Sequence, residues 1–519
     1  MRDALNREER GLSTWIIYLL LAGIALYVVI GSTTFPLSAP GLGSDGLAFS
    51  YVGWGMTQGK IPYVDLWDNK GPFLYFLEYV GVVISSRFGI FLIELLVVFF
   101  AALFMYRTAR LQFPKISSFL GAGFCLILYT VYFQAGNRCE EFALPFIALA
   151  LYLLLRYVRS GQTTWWRVVL VGVSAGACLL IRLNLAVPIF AACGLLFLCL
   201  MFKKKVREAL SFLPLFLLGL VVFALPFIIW LGANGAVGAW IETTFKLGFA
   251  TDTLTFGERV VSMLVDIMNL DEAAGRVGAA LVLILFIRTL YVLITARRRK
   301  NQEALCWGLT AFAYLVNIPA NMLSPYGFLH YYISFIPLLA LPAAWVFNWS
   351  GSALSGMLQK KKTAPVRAGV GMLMCLIVLA TSAVLIKDHH DVIMSHYRST
   401  NDEIMTGVWV IDAHTTREDE IIGYTRFAGH TGMLQVSNRM SATRYFYPPV
   451  WEAFAPELIL SAQEEIAADI MSGDAKLLIL DGNMAQAFYE VIPGLADYVN
   501  THYTQLDYDL QYDYYLRND

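Results

Sequence analysis

Apolar residues run in membrane-length blocks through the first three quarters of the chain and give way to short alternating stretches only near its end. A bilayer core takes about 20 apolar residues of helix to cross. Blocks at about 12–34, 89–106, 116–133, 142–158, 168–187, 188–202, 210–231, 277–296, 304–320, 331–348 and 368–386 meet or approach that length, which predicts eleven spans. Between them lie basic clusters at Arg2/Arg7/Arg10, Arg107/Arg110/Lys115, Arg156/Arg159/Arg167, Lys203/Lys204/Lys205/Arg207, Arg297/Arg298/Arg299/Lys300 and Lys360/Lys361/Lys362/Arg367. Short loops rich in Lys and Arg stay in the cytoplasm. With eleven spans and a cytoplasmic N-terminus, every cluster falls on that side. Pro72 to Phe88 is also apolar enough for a span, but counting it would put Arg107, Arg110 and Lys115 outside and reverse every later cluster. It therefore reads as a helix lying on, or dipping into, the outer face.

The pair at 168–202 is interrupted by Arg182-Leu-Asn184, with a short turn expected at Pro188. Besides the first loop, the outer segments are Gln134–Glu141, Gly232–Gly275 and Asn321–His330. The second of these mixes Phe245, Lys246, Phe249, Phe256, Glu258, Arg259, Met263 and Asp266, a pattern for amphipathic helices at the interface. Beyond about residue 387, Glu420–Tyr424 and Ala475–Asp481 read as buried strands, Ala462–Met471 as a helix, and Tyr503–Leu516 as a terminal hairpin. The expected fold is mainly α, a polytopic membrane helix bundle (residues 1–387) followed by a soluble extracytoplasmic α/β domain (388–519). No internal repeat is found.

Composition agrees with this division. Of 519 residues 58% are hydrophobic and only 15% charged, with a mean hydropathy of +0.59; soluble globular chains carry about 25% charge. The first block, Leu12 to Ile30, has no small-residue cleavage site and reads as a retained helix, not a signal peptide. The net charge of −1 hides an asymmetry. From Asp388 onward there are 7 Lys and Arg against 21 Asp and Glu, a net of −14, while the preceding residues carry 31 against 18, a net of +13. The expected surroundings are a lipid bilayer and an extracytoplasmic space, with no nucleic acid. The seven cysteines fall mostly in apolar runs without metal-ligand spacing and read as small core residues.

Candidate chemistry gathers in the outer segments. Asp45 follows the first span directly, so its carboxylate lies near the membrane surface, where an acid is expensive to keep. Asp65, Asp68, Glu140 and Glu141 are also in outer loops near the membrane. Two loops can bring these carboxylates together at the mouth of the bundle, as a general base with helpers or as oxygen ligands for a divalent cation, Mg or Mn, from Asp45, Glu140 and Glu141. Solvated loop charge is the alternative for each acid alone. Lys70, held before the rigid Gly71-Pro72 turn, suits a phosphate at headgroup depth, or is a snorkelling lysine. Arg138 is read as a phosphate ligand or as an ion-pair partner of Glu140. Arg182, with Asn184, lies in an apolar stretch and must face a cavity or a partner. His330 can donate to a phosphate or a sugar hydroxyl, beside Tyr331; Tyr63 completes the candidates. His389-His390-Asp391 has the look of a metal cluster but reads more readily as linker, and Arg439, Arg444 and Tyr445-Phe446-Tyr447 either bind an acceptor or, the stronger reading, dock the soluble domain onto the membrane part.

Asp45-Gly-Leu-Ala-Phe-Ser-Tyr, Pro62-Tyr-Val-Asp-Leu-Trp-Asp-Asn-Lys-Gly-Pro72, Gly136-Asn-Arg-Cys-Glu-Glu-Phe-Ala-Leu-Pro145 and His330-Tyr-Tyr resemble the GT-C glycosyltransferase superfamily, closest to its aminoarabinose transferase and protein O-mannosyltransferase group. The resemblance covers about residues 10–350. It implies an inverting membrane transferase that takes a sugar from a polyprenyl-phosphate-linked donor and passes it to an envelope glycan, glycolipid or protein on the extracytoplasmic face. It also implies Asp45 as base, Glu140 or Glu141 as a second acidic site, and Lys70 for the phosphate; metal use varies in the family and stays open. The alternative class is a transporter or flippase of lipid-linked saccharides, which would place polar groups near the bilayer midplane, often in repeated halves.

Overall fold

The structure is a computed structural model that describes residues 12–39, 44–246, 255, 257–258, 261, 273–295, 301–322, 328–358, 364–399, 402–425, 429–448, 456–508 and 510–518. Among these, eight helices are long and apolar enough to cross a membrane: Leu12–Val29, Pro72–Arg110, Cys139–Ser160, Leu183–Phe202, Val206–Ala233, Gly275–Thr295, Leu329–Gly356 and Val366–His414. Lys115–Tyr129 and Trp165–Ile181 are apolar but shorter, and Asn301–Asn321 has 21 residues. Each predicted span coincides with one of these helices. Their outward faces are apolar: Leu210, Leu217, Leu218, Val221, Val222 and Leu225 of Val206–Ala233 are exposed, as a lipid-facing helix requires. The clusters Arg2/Arg7/Arg10, Arg297–Lys300 and Lys360–Lys362, and Phe249, Phe256, Arg259, Met263 and Asp266 of the second outer segment, lie outside the described residues.

Three local features differ from or sharpen the sequence reading. The helix Pro72–Arg110 breaks at Ser85 (φ −171°, ψ 53°) and Ser86 (φ 48°, ψ −131°). A Cβ on Gly81 would lie 2.9 Å from Ile90 N, whereas nine residues of straight helix span about 13 Å. The chain therefore doubles back. Its first arm, about 20 Å long, is too short to cross the bilayer, in keeping with a segment distinct from the span that follows.

The break in the pair at 168–202 falls at Arg182, in extended backbone (φ −162°, ψ 132°), not at Pro188. Pro188 instead opens the next helix, where its missing N–H leaves no bond unmade. Finally, Asp45 is not in irregular loop. Its segment forms the helix Ser44–Thr57 with Asp45 in the first turn, where the helix dipole favours a negative charge. Two glycines in this helix are close-packing positions: Gly53 abuts Glu78 and Tyr79, and Gly55 abuts Leu66.

The arm Pro72–Ile84 is pinned to the bundle at its start, where the Gly71 N–H donates to Ile181 O at 2.8 Å. A Cβ there would run into Leu180 O and its carbonyl carbon, which are backbone and cannot rotate aside. Gly71→Ala is expected to cost about 1–3 kcal/mol, read as a lower Tm of the detergent-solubilised protein. An unchanged Tm would show that the two segments separate freely.

Among the described residues the C-terminal part holds a four-stranded sheet: β1 Glu420–Tyr424, β2 Ala475–Leu480, β3 Tyr503–Gln505 and β4 Asp513–Arg517, in the order β1-β2-β4-β3. β1 and β2 are parallel, joined through helices Gly429–Ser437 and Pro456–Ser472; β4 runs antiparallel to both β2 and β3. Both strands, the helix and the hairpin expected from the sequence are present. His389 lies within the long helix Ala364–Arg398, buried against Val28 O at 2.9 Å.

The sheet domain grips the first loop. Trp67 N–H donates to Arg444 O at 2.8 Å, and the Trp67 ring lies 5.6 Å from that of Tyr445. Tyr51 stacks on Phe446 at 4.8 Å and accepts a hydrogen bond from Ser441 N at 2.8 Å. Residues 439–447 thus meet the segments on either side of the first-loop turn.

Candidate active site

Four segments far apart in sequence meet at the N-terminus of Ser44–Thr57. They are that helix, the turn before Pro72, the tight loop 134–138 leading into Cys139–Ser160, and the Arg182 break facing Leu329–Leu339. Asp45 Oδ2 accepts from Arg138 Nη1 at 2.5 Å, and its side chain is 30% exposed. The carboxylate is therefore fixed on one side and accessible on the other. Burial alone would raise its pKa, but Arg138, then Lys70 and His330, outweigh it and leave Asp45 below the ordinary carboxylate value.

Glu140, fully buried, accepts from Arg182 Nη1 at 2.6 Å. The Arg182 guanidinium lies over the Tyr331 ring, 4.5 Å from its centroid, an arrangement a flat delocalised cation favours. His330 Nδ1 lies 2.8 Å from Gln134 Oε1. Lys70 donates to Asn69 Oδ1 at 2.6 Å and is 3.8 Å from Asp68. Burial lowers the Lys70 pKa, but Asp68, with help from Asp45, overrides it, so the ammonium stays charged. One of its three N–H donors is used in that bond, leaving capacity for an anion.

Other candidates shape the loop around this cluster. Tyr63 is buried, with φ 72°, and donates to Lys70 O at 2.7 Å. Asp65 accepts from Ile61 N at 2.7 Å and closes a turn, while Asp68 accepts from Asn69 N at 2.6 Å. Asn184 donates to Asn321 Oδ1 at 3.1 Å, in a polar row with Asn317 and Ser334. Glu141 is fully buried, beside Glu94 and Tyr129 and against the backbone of Asn137 and Arg138.

Asp45, Glu140 and Glu141 therefore engage three different partners and do not form one donor set. Among the described residues no three His, Cys, Asp or Glu side chains are placed to hold a metal ion. Arg138, read from the sequence as a phosphate ligand or a partner of Glu140, is committed to Asp45.

The structure adds Gln134, Asn137, Glu78 and Glu94 to the residues around the site. Glu78 and Glu94 are isolated acids inside apolar runs and fully buried. That isolation was the available signal, since a carboxylate in such a run is retained for a reason.

The family model for dolichyl-phosphate-mannose-protein mannosyltransferases matches residues 69–230, a stretch that includes Lys70, Arg138, Glu140 and Arg182. Among solved structures, the chain is similar to ArnT from Cupriavidus metallidurans bound to undecaprenyl phosphate, with 12% identity, a TM-score of 0.60, and 97% of this chain and 98% of that one covered. The fold is that of the GT-C glycosyltransferases.

Two structures of the Archaeoglobus fulgidus oligosaccharyltransferase share this GT-C fold. The apo form is 14% identical, with a TM-score of 0.54, covering 96% of this chain and 73% of that one. The AglB complex with an inhibitory peptide and a dolichol-phosphate is 12% identical, with a TM-score of 0.51, covering 98% and 75%. No curated protein matches the chain in sequence. Each of the three alignments covers at least 96% of this chain, so each extends beyond the membrane-length helices.

Proposed function

We propose that the protein is an inverting glycosyltransferase that moves a sugar from a polyprenyl-phosphate carrier to a hydroxyl of a cell-envelope glycan, glycolipid or protein on the extracytoplasmic face. The observation that carries this reading is the pairing, at one helix N-terminus, of an accessible ionised carboxylate with two cations. Asp45 is partly exposed beside Arg138, Lys70 stands near it, and Arg182 stands near Lys70. Support comes from the ArnT structure, which binds undecaprenyl phosphate, and the AglB structure, which binds dolichol-phosphate.

In this reaction Asp45 takes the proton of the acceptor hydroxyl as its oxygen attacks the anomeric carbon. The bond from that carbon to the phosphate oxygen breaks, its electron pair leaves with the phosphate, and the anomeric centre inverts. Lys70 and Arg182 offset the charge gathering on the departing phosphate, and His330 adds a donor. Arg138 holds the base rather than the phosphate. The N-terminus and basic loops then lie in the cytoplasm, and the sheet domain lies outside with the acceptor.

The test is to incubate purified protein with a panel of undecaprenyl-phosphate-linked hexoses and pentoses, and to measure released undecaprenyl phosphate and its binding to the protein. Release from one donor and binding of the free lipid phosphate are expected. Neither release nor binding would overturn the proposal.

Arg138 also sets a pH dependence. Arg138 holds the Asp45 carboxyl below the ordinary carboxylate range, so the acid limb of kcat/KM should lie below that of a free aspartate. Its ionisation favours the folded state above the unfolded pKa of about 3.9 and loses that effect as pH falls through the lower folded value. Arg138→Met removes the nearest opposing charge and leaves burial, so the acid limb should move to higher pH. A profile unchanged by that substitution would separate Arg138 from the base.

A further inference from the structure

The loop that delivers Arg138 to Asp45 is held in an unfavourable conformation. Gln134, Ala135, Gly136 and Asn137 have φ of 43°, 72°, 74° and 50°, four successive left-handed residues of which only one is glycine. Left-handed backbone is unfavourable for each non-glycine residue there, less so for asparagine. Such a turn persists only if its surroundings fix it.

The fixing contacts are specific. Thr33 donates through its N–H to Ala135 O at 2.9 Å, and Arg138 Nη2 donates to Gln134 O at 3.1 Å. The shortest is from Asn137 N–H to Glu94 Oε1 at 2.6 Å. Glu94 has no exposed surface. Its carboxylate also accepts from Ser32 Oγ at 3.0 and 3.1 Å and from Thr34 Oγ1. Asn137 passes the constraint on: its Nδ2 donates to Gly46 O at 3.2 Å, one residue past Asp45. A side chain on Gly46 would meet Asn137 at 3.0 Å, so the amide sits directly against that backbone.

We infer that Glu94 is a positioning residue for the base. By binding the Asn137 N–H it holds the 134–138 turn, and through the Asn137 amide and Arg138 it fixes where the Asp45 carboxylate stands. Glu94 touches no reacting atom. This inference rests on Asp45 being the base of the transfer proposed above.

Glutamine keeps an acceptor oxygen for the Asn137 N–H and an amide that donates to the Ser32 and Thr34 hydroxyls, which work in either role. Alanine keeps neither. Asn137→Gly deletes the amide while favouring the left-handed backbone, so it isolates the bond to Gly46.

The experiment uses full-length purified protein carrying Glu94→Ala, Glu94→Gln, Asn137→Gly, Glu94→Ala with Asn137→Gly, and Asp45→Asn. It reads amide hydrogen exchange over residues 44–57, Tm, and kcat and KM for the donor found active in the panel. Glu94→Ala should lower kcat about 100-fold, the loss that a displacement of about 1 Å produces, with donor KM little changed. Glu94→Gln should restore most of it. Asn137→Gly should lower kcat about tenfold or more, and the double variant should be no worse than Glu94→Ala alone, because the two act in one chain. Exchange over 44–57 should speed up in Asn137→Gly and Glu94→Ala but not in Glu94→Gln, whichever donor is used.

Wild-type kcat and exchange in Asn137→Gly would overturn the inference, even if Glu94→Ala does not fold. So would a Glu94→Ala protein whose only change is a lower Tm. If Asp45→Asn is inactive while Asn137→Gly and Glu94→Ala match wild type, the positioning role alone fails. If Asp45→Asn turns over normally, the assignment of the base fails, and faster exchange in Asn137→Gly would still report the relay.

Discussion

Asp45→Asn should reduce kcat for sugar transfer by about 10³-fold, within the 10²- to 10⁴-fold that a positioned general base contributes, with little change in KM for the lipid donor. Asparagine matches the carboxylate in shape, and its carbonyl oxygen can still accept from Arg138, so the helix Ser44–Thr57 should keep its place. What it lacks is basicity. Lys70 and Arg182, proposed to act on the phosphate, are untouched, and donor binding should persist. The check is steady-state turnover together with equilibrium binding of undecaprenyl phosphate to the same preparation. A loss of binding that matches the loss of kcat would make Asp45 a donor-site residue, and a kcat within tenfold of wild type would exclude it as base.

The second large effect lies at Arg182. Its partner Glu140 has a side chain with no exposed surface, so Arg182→Ala strands an ionised carboxylate away from water. Breaking a buried pair in this way costs about 3–5 kcal/mol. The same change removes a cation from the proposed phosphate subsite and the stacking contact with Tyr331. Stability and donor binding should therefore both fall.

The double variant Arg182→Ala with Glu140→Gln separates the two effects. With both charges gone the buried penalty disappears and Tm should recover, but lipid-phosphate affinity should stay low. Arg182→Lys keeps the charge without the planar guanidinium and should fall between. Recovery of affinity along with Tm in the double variant would show that Arg182 serves only the fold.

Elements whose character comes from local composition were legible without coordinates. Apolar runs located every described helix that is long and apolar enough to cross a membrane, because a helix in lipid must carry an apolar surface along its own length. The strands Glu420–Tyr424 and Ala475–Leu480 declared themselves by short buried runs between polar segments. Asp45, Lys70, Glu140, Arg182 and His330 stood out as polar groups at the edges of apolar blocks, and the structure brings them to one place. Two local readings misled: the segment of Asp45, read as outer loop, is helical, and Pro188, read as a turn, opens a helix.

The sequence by itself determined that this chain crosses a membrane many times, carries an acidic α/β domain at its end, and sets charged groups at the ends of its spans. Only the tertiary structure decided which charges pair: Asp45 with Arg138 across 93 positions, Glu140 with Arg182 across 42, and Glu94 with the Asn137 N–H across 43. Hydrophobicity is additive along a chain, so its pattern survives in one dimension. A hydrogen bond depends on the distance and direction between two atoms, and residues so far apart in sequence acquire those only when the helices pack.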